Sequence, residues 1–147
     1  MTVREYPKHP IIGLGAAVIG PQGVLLIKRG KPPRMGAWSL PGGAQDLGET
    51  VEEGIMREVR EETGLDVEVL EIIDVVDSIH HDPDGRIKYH YTLVDACVVE
   101  TGGTLKAGSD AIEAQWFSIK ETEGLYLWSE TNRIITKAKA IYEKRYI

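Results

Sequence analysis

The stretch TVEEGIMREVREETG, Thr50 to Gly64, can be regular in only one way. Val51, Ile55 and Val59 recur every four residues, with Met56 extending the stripe, which predicts an amphipathic helix over Thr50–Thr63. Thr50 is placed to cap its start, with Glu53 three residues on, and Gly64 to end it. On a helical wheel Glu53, Arg57 and Arg60 fall opposite the apolar stripe. Glu58, Glu61 and Glu62 fall at its margin, at spacings i, i+3 and i+4, so they share one face. Like charges so placed repel by roughly 0.2–0.5 kcal/mol per exposed pair. In a sheltered cleft the cost is about 3 kcal/mol for a pair about 6 Å apart at an effective dielectric of about 20. A divalent cation is the natural counter-charge. Gly54, one turn before Glu58, either packs against the preceding loop or lets another backbone or a substrate approach the acids.

An apolar helix stripe needs a sheet to cover, and the rest of the chain supplies strands. IIGLGAAVIG (Ile11–Gly20) reads as a buried strand, Pro21–Gly23 as a turn and Val24–Arg29 as a strand pairing back. Gly30–Gly36 is a loop, and Trp38–Gly43 a short strand entering a glycine turn. After the helix, LDVEVLEIIDVVDSI is rich in β-branched residues. HHDPDGR reads as a loop, IKYHYTLVDACVVE as a strand, Thr101–Gly103 as a turn and Glu113–Ile119 as a last strand. A C-terminal amphipathic helix follows, with Ser129 as its cap and Ile134, Ile135, Ala138, Ile141 and Tyr142 inward. The expected architecture is α/β: one domain over residues 1–147, a mixed sheet between helices.

Charge and composition narrow the partners. The 147 residues carry a net charge of −6, which disfavours a scaffold that tracks nucleic-acid phosphates. A small anion brought in with a metal remains compatible. Cys97 has no second thiol to pair with and sits in an apolar run, as a reduced core residue would. No apolar run is long enough to span a bilayer, and a cytoplasmic location is expected. The histidines, His9, His80, His81 and His90, lack zinc-site spacing, and His80 and His81 read as solvated loop residues. GLGAAVIG fails the dinucleotide fingerprint at Val18.

Reading outward from the acids, Gly43 is followed after five residues by Glu49, and after seven more by Arg57, Glu58, Val59, Arg60, Glu61, Glu62, Thr63, Gly64 and Leu65. This resembles the Nudix hydrolase signature, G-x5-E-x7-R-E-U-x-E-E-x-G-U with U aliphatic, at every defined position. Its charged and glycine positions alone match by chance in on the order of one window in 10⁸. LLIKR and WSLPGG before the box, and EAQWFSI after it, are similar to the family's flanks. Gly54 departs from the family's usual alanine but stays small.

The resemblance implies an α/β/α sandwich with a catalytic loop–helix–loop that holds Mg²⁺, with Mn²⁺ as a substitute, against a diphosphate. It implies Glu58 and Glu62 as metal ligands, Glu61 as a ligand or the group that activates water, and the Gly42 carbonyl as a further ligand. Arg57 would pair with Glu49 and orient the acids, with Gly43, Glu49 and Gly64 shaping the box. Some relatives take the general base from a downstream acid. Asp110 and Glu113 are candidates here, with Glu113 preferred because relatives read E-x-x-W as Glu113–Trp116 does. Arg29 and Arg34 are candidates for substrate phosphate, Trp38 and Trp116 for stacking on a base.

The implied substrate is a small nucleotide, a nucleoside diphosphate linked to another group. A proline about sixteen residues beyond the box is common in ADP-ribose-hydrolysing members, and Pro83 stands two residues later. The alternatives are a nucleoside triphosphate pyrophosphohydrolase and a Nudix-like sensor that binds without turnover, although sensors typically lose box acids. Many members are dimers, and a homodimer is compatible with the sequence.

Overall fold

The computed structural model describes residues 4–31 and 34–147. Pro32 and Pro33, within the expected Gly30–Gly36 loop, lie outside the described residues. Seven strands form a mixed sheet: β1 (Ile11–Gly20), β2 (Gly23–Arg29), β3 (Trp38–Ser39), β4 (Gly42–Ala44), β5 (Leu65–His81), β6 (Ile87–Gly103) and β7 (Ala111–Phe117). The order is β3-β2-β1-β6-β5, with β4 also on β1 and β7 on β2. Among the described strands only β1 and β6 run parallel, in register from Ile11↔Tyr91 to Val18↔Val98.

Alternation along β1 and β2 divides the core in two. Leu14, Ala16, Val18 and Leu25 point to one face and pack with Ile55 and Val59 of helix α1 (Val51–Thr63). Ala17, Ile19, Val24 and Leu26 point to the other. They pack with Ile134, Ile135 and Ala138 of helix α3 (Ser129–Tyr146). The result is the expected α/β/α sandwich. Cys97 is buried on the α3 side, and its thiol is pushed up to about 11 by that burial. No described helix is long and apolar enough to cross a membrane.

The ends of α1 follow the sequence. Thr50 accepts from the Glu53 amide at 3.1 Å while the Glu53 carboxylate accepts from the Thr50 amide at 2.9 Å, a complete capping box. Gly64 adopts φ +75°, and its amide donates to the Arg60 carbonyl. Met56 does not join the buried stripe; its side chain is exposed.

Four local expectations are corrected. Thr101–Gly103 is the end of β6, because the β5–β6 hairpin carries its ladder through Leu65↔Gly103. His80 and His81 are exposed strand residues, the turn being confined to the segment that follows them. Ser129 is the first residue inside α3, whose cap position is Trp128 without a side-chain bond. The last strand starts at Ala111 and stops at Phe117, because Ser118 opens helix α2 (Ile119–Thr122) with its own capping box to Glu121.

One buried carboxyl stands apart from the box. Asp95 of β6 pairs with Gly15 on one side and Asp74 on the other. Burial, only partly offset by Arg133 and reinforced by Asp74 and Glu130, pushes its pKa up to about 6. A carboxyl raised on folding contributes most below its unfolded pKa and loses that contribution as pH rises through about 6. Asp95→Asn should therefore melt several degrees higher than wild type at pH 8 and no higher at pH 4. Equal melting shifts at both pH values would exclude the charge as the cause.

Candidate active site

The signature residues converge where β4 meets the flank of α1. β4 lies against β1, with Leu14↔Gly43 and Gly15↔Gly42 in register. This sets the glycines against the last two turns of the helix. Arg57 is the hub. Its Nε and Nη2 donate to the two oxygens of Glu49 at 3.0 and 2.7 Å, the two-pronged geometry that suits a guanidinium. Nη2 also donates to the Ala44 carbonyl at 3.1 Å, and Nη1 to Glu58 at 2.8 Å and Glu61 at 3.3 Å. Hydrogen bonding to Arg57 holds Glu49 down at about 2.

The three acids differ in environment. Glu62 is buried, at 4% exposure, and its Oε1 accepts from the Gly42 amide at 2.7 Å. Burial pushes its pKa up to about 7, with the Glu58 charge adding to the rise. Glu58 is also raised by burial, with Arg57 opposing. Glu61 is half-exposed, at 46%, and touches Arg57 alone among the contacts its carboxylate makes in the described residues. A Cβ on Gly43 would lie 2.5–2.6 Å from both Glu58 oxygens. Only glycine leaves that carboxylate its place. Gly54 meets the Leu14 side chain and the Glu49 carboxylate, so its smallness serves packing of the preceding loop.

The site fits a hard divalent ion by the chemistry of its donors. Two carboxylates withdrawn from water stand near one another, and the Glu58 charge adds to the rise at Glu62. Among the described residues no three acidic, imidazole or thiol groups converge on one point. Glu58 and Glu61 are turned to Arg57 and Glu62 to Gly42. Mg²⁺ needs only one or two protein carboxylates, completing its shell with water and substrate phosphate. The bond to Glu62 comes from the Gly42 amide.

The structure brings Arg29 to this cluster and leaves Glu113 out of it. Arg29 follows Leu25 and Ile27 on the α1 face of β2, and its charge acts on Glu62. Glu113 sits four residues before Phe117 with no bulge between, on the α3 face, where it pairs with Lys28 at 3.4 Å. Asp110, the less favoured candidate, is the downstream acid whose charge reaches Glu62. Glu113 and Trp116 are three residues apart on one strand and so face opposite sides of the sheet. Trp38 also faces α3, edge-on to Phe117 at 4.9 Å, and with Arg34, Tyr126 and Trp128 it lines a shallow hollow. Trp116 packs against the α1-side core.

Arg4, which sequence reasoning did not weigh, contributes a small opposing charge at Glu58 although it lies far before the box in the chain. No local signal marks such a long-range approach.

A family model described as NUDIX domain matches residues 9–138. An ADP-ribose pyrophosphatase of Methanocaldococcus jannaschii is 40% identical over 111 residues, covering 76% of this chain and 63% of that protein. The chain thus spans less than two thirds of that relative. The crystal structure of a MutT NUDIX hydrolase from Burkholderia pseudomallei superposes with a TM-score of 0.72 at 29% identity, over 88% of this chain and 98% of that one. An ADP-ribose pyrophosphatase from Streptococcus suis does so with 0.70 at 28%, over 89% and 92%.

Proposed function

Since this chain belongs to the Nudix family, we propose that it hydrolyses the diphosphate bond of a nucleoside diphosphate linked to a second group, with ADP-ribose as the lead substrate. The observation that carries the reading is the pair of sheltered carboxylates, Glu58 and Glu62, framed by Arg57 and the β4 glycines. The M. jannaschii and S. suis proteins support the choice of ADP-ribose. The likeness to a MutT hydrolase supports a second reading, release of pyrophosphate from a nucleoside triphosphate.

Glu58 and Glu62 would hold Mg²⁺. When bound, it neutralises the diphosphate and lowers the pKa of a coordinated water. The chain's own residues then do three things. Arg57 locks Glu49 and Glu58, fixing the helix flank against β4. Arg29, on the same face as the acids, offers positive charge to a phosphate oxygen. Glu61, half-exposed and bonded to Arg57 alone among the described residues, is placed to turn and take the proton of the attacking water. Water adds to one phosphorus, the bridging oxygen leaves with the other phosphate, and a nucleoside monophosphate and a sugar phosphate result.

The test is a panel of nucleotides with Mg²⁺, products identified by mass. AMP plus ribose 5-phosphate from ADP-ribose as the fastest reaction is the expected result. Pyrophosphate release from triphosphates as the fastest reaction transfers the assignment to the second reading. In the same assay Glu61→Gln should slow turnover by about a hundredfold or more and Glu113→Gln by less than about threefold. A large loss in Glu113→Gln with a silent Glu61→Gln reverses the base assignment.

A further inference from the structure

The sheet opens between β1 and β2. The two strands pair from Val18↔Leu25 to Gly20↔Gly23, and beyond that a later segment enters the gap between them. Its first part, β3, pairs with β2 through Lys28↔Trp38, and its second, β4, with β1 through Gly15↔Gly42. The loop before this segment is closed at its base by two backbone bonds. The Gly36 amide donates to the Arg29 carbonyl at 2.7 Å, and the Arg29 amide to the Ala37 carbonyl at 2.9 Å. Beside the segment lies the hollow already noted, with a volume of about 330 Å³, enough for a small planar ligand.

The walls of the hollow are aromatic and cationic. The Arg34 guanidinium lies over the Trp128 ring, 5.6 Å from its centroid, so that ring is already covered. The Tyr126 ring is not, since the residue is 96% exposed at the rim. The backbone holds both side chains at a cost. Arg34 has φ +61° and Tyr126 φ +54°, two of the four non-glycine residues in the left-handed region among the described residues. Glycine would make either turn without strain. A strained backbone that keeps an aromatic ring in water beside a hollow is the kind of arrangement found where a ligand is held. The flat face of a base stacks on such a ring, and no acidic side chain among the described residues lines the hollow to repel a phosphate.

The hollow is also within reach of the acids. Trp38, on its wall, and Gly42, whose amide bonds to Glu62, are four residues apart on the inserted segment, at most about 14 Å of backbone. We infer that this hollow is the nucleobase subsite. The base stacks on the Tyr126 ring beside the Arg34–Trp128 pair, and the diphosphate reaches the acids along the segment from Trp38 to Gly42. The path of the diphosphate rests on the hydrolase reading; the contact with the base does not.

The experiment measures Kd by calorimetry in EDTA, where no turnover occurs, for AMP, GMP, CMP, UMP and ribose 5-phosphate. Wild type is compared with Tyr126→Gly, Tyr126→Phe and Arg34→Gln. At least one nucleotide should bind wild type about tenfold or more tighter than ribose 5-phosphate, the excess being the contribution of the base. Tyr126→Gly should abolish that excess and leave the Kd of ribose 5-phosphate within about twofold. Its melting temperature should be no lower than that of wild type, because glycine relieves the strained φ. Tyr126→Phe should keep most of the excess, and Arg34→Gln should reduce it by a few-fold. Equal binding of ribose 5-phosphate and all four nucleotides by wild type overturns the inference. So does an excess that survives in Tyr126→Gly, or a loss in that variant equal for ribose 5-phosphate and the nucleotides. The hydrolase reading fails on a different result, the absence of cleavage across the nucleotide panel with Mg²⁺, and the metal-free Kd values decide the subsite in that case too.

Discussion

Glu62→Gln should lower turnover by at least about a hundredfold, the scale of losing one group that stabilises the transition state. In the metal-free protein the same change should be stabilising. Burial sets the Glu62 carboxyl at about 7, above its ordinary 4.5. The folded state therefore binds this proton more tightly than the unfolded state, and stability falls as pH rises through about 7. The interval is worth on the order of 3 kcal/mol. Glutamine keeps an oxygen for the Gly42 amide and carries no charge. The variant should melt higher than wild type at pH 8 in EDTA and equal to it at pH 5. Added Mg²⁺ should raise the melting temperature of wild type more than that of the variant. Near wild-type turnover in saturating Mg²⁺ would remove Glu62 from the site.

Arg57→Lys should be the most damaging change that keeps the charge. A lysine cannot reach Glu49, Glu58 and the Ala44 carbonyl together, since it lacks the planar fork. Glu58 loses the partner that opposes its desolvation. We expect turnover to drop about a hundredfold or more and stability at pH 7 to fall by about 2–3 kcal/mol, below the range for breaking a fully buried pair because the site is partly open. The stability loss has a pH signature. Glu49 is held at about 2 by Arg57, so its contribution is present above about pH 4.5 and vanishes as pH falls toward 2. The gap in melting temperature between variant and wild type should narrow from pH 7 to pH 3. A constant gap would mean that lost packing, not the ion pair, is responsible.

What the sequence disclosed was local in origin. The α1 stripe, its capping box and its αL glycine are encoded within fifteen consecutive letters, and each appears as expected apart from the exposed Met56. So do β1 and β2, whose apolar runs leave one reading. The corrections come from two sources. In the hairpin, pairing to a long partner carried β6 through Thr101–Gly103, overriding turn-forming residues. At α2 the signal was present, since Ser118 and Glu121 spell a capping box, but the strand pattern running into Ile119 obscured it. The site divides the same way. The residues of the box fall together because one helix and one adjoining strand carry them. The placement of Arg29, Asp110, Glu113 and Arg4 depends on strand parity and on contacts between segments far apart in the chain. No spacing rule reports those.

The exit from α1 has a consequence for redesign. The connector between β6 and β7 folds back on the helix end: the Lys106 amide donates to the Thr63 carbonyl at 2.8 Å, Gly108 to Glu62 at 3.1 Å and Thr104 to Gly64 at 3.3 Å. Gly30 then donates to the Asp110 carbonyl at 2.8 Å, tying the connector to the end of β2 beside Arg29. The connector is therefore a splint shared by the acids and the basic residue opposite them. Grafting a longer or differently shaped segment between positions 104 and 110 to change selectivity would unseat the backbone of Glu62 itself. Selectivity and chemistry would then drift together, so loop exchange in this protein is better attempted at the β5–β6 tip, which bears no bond to the acid-bearing helix among the described residues.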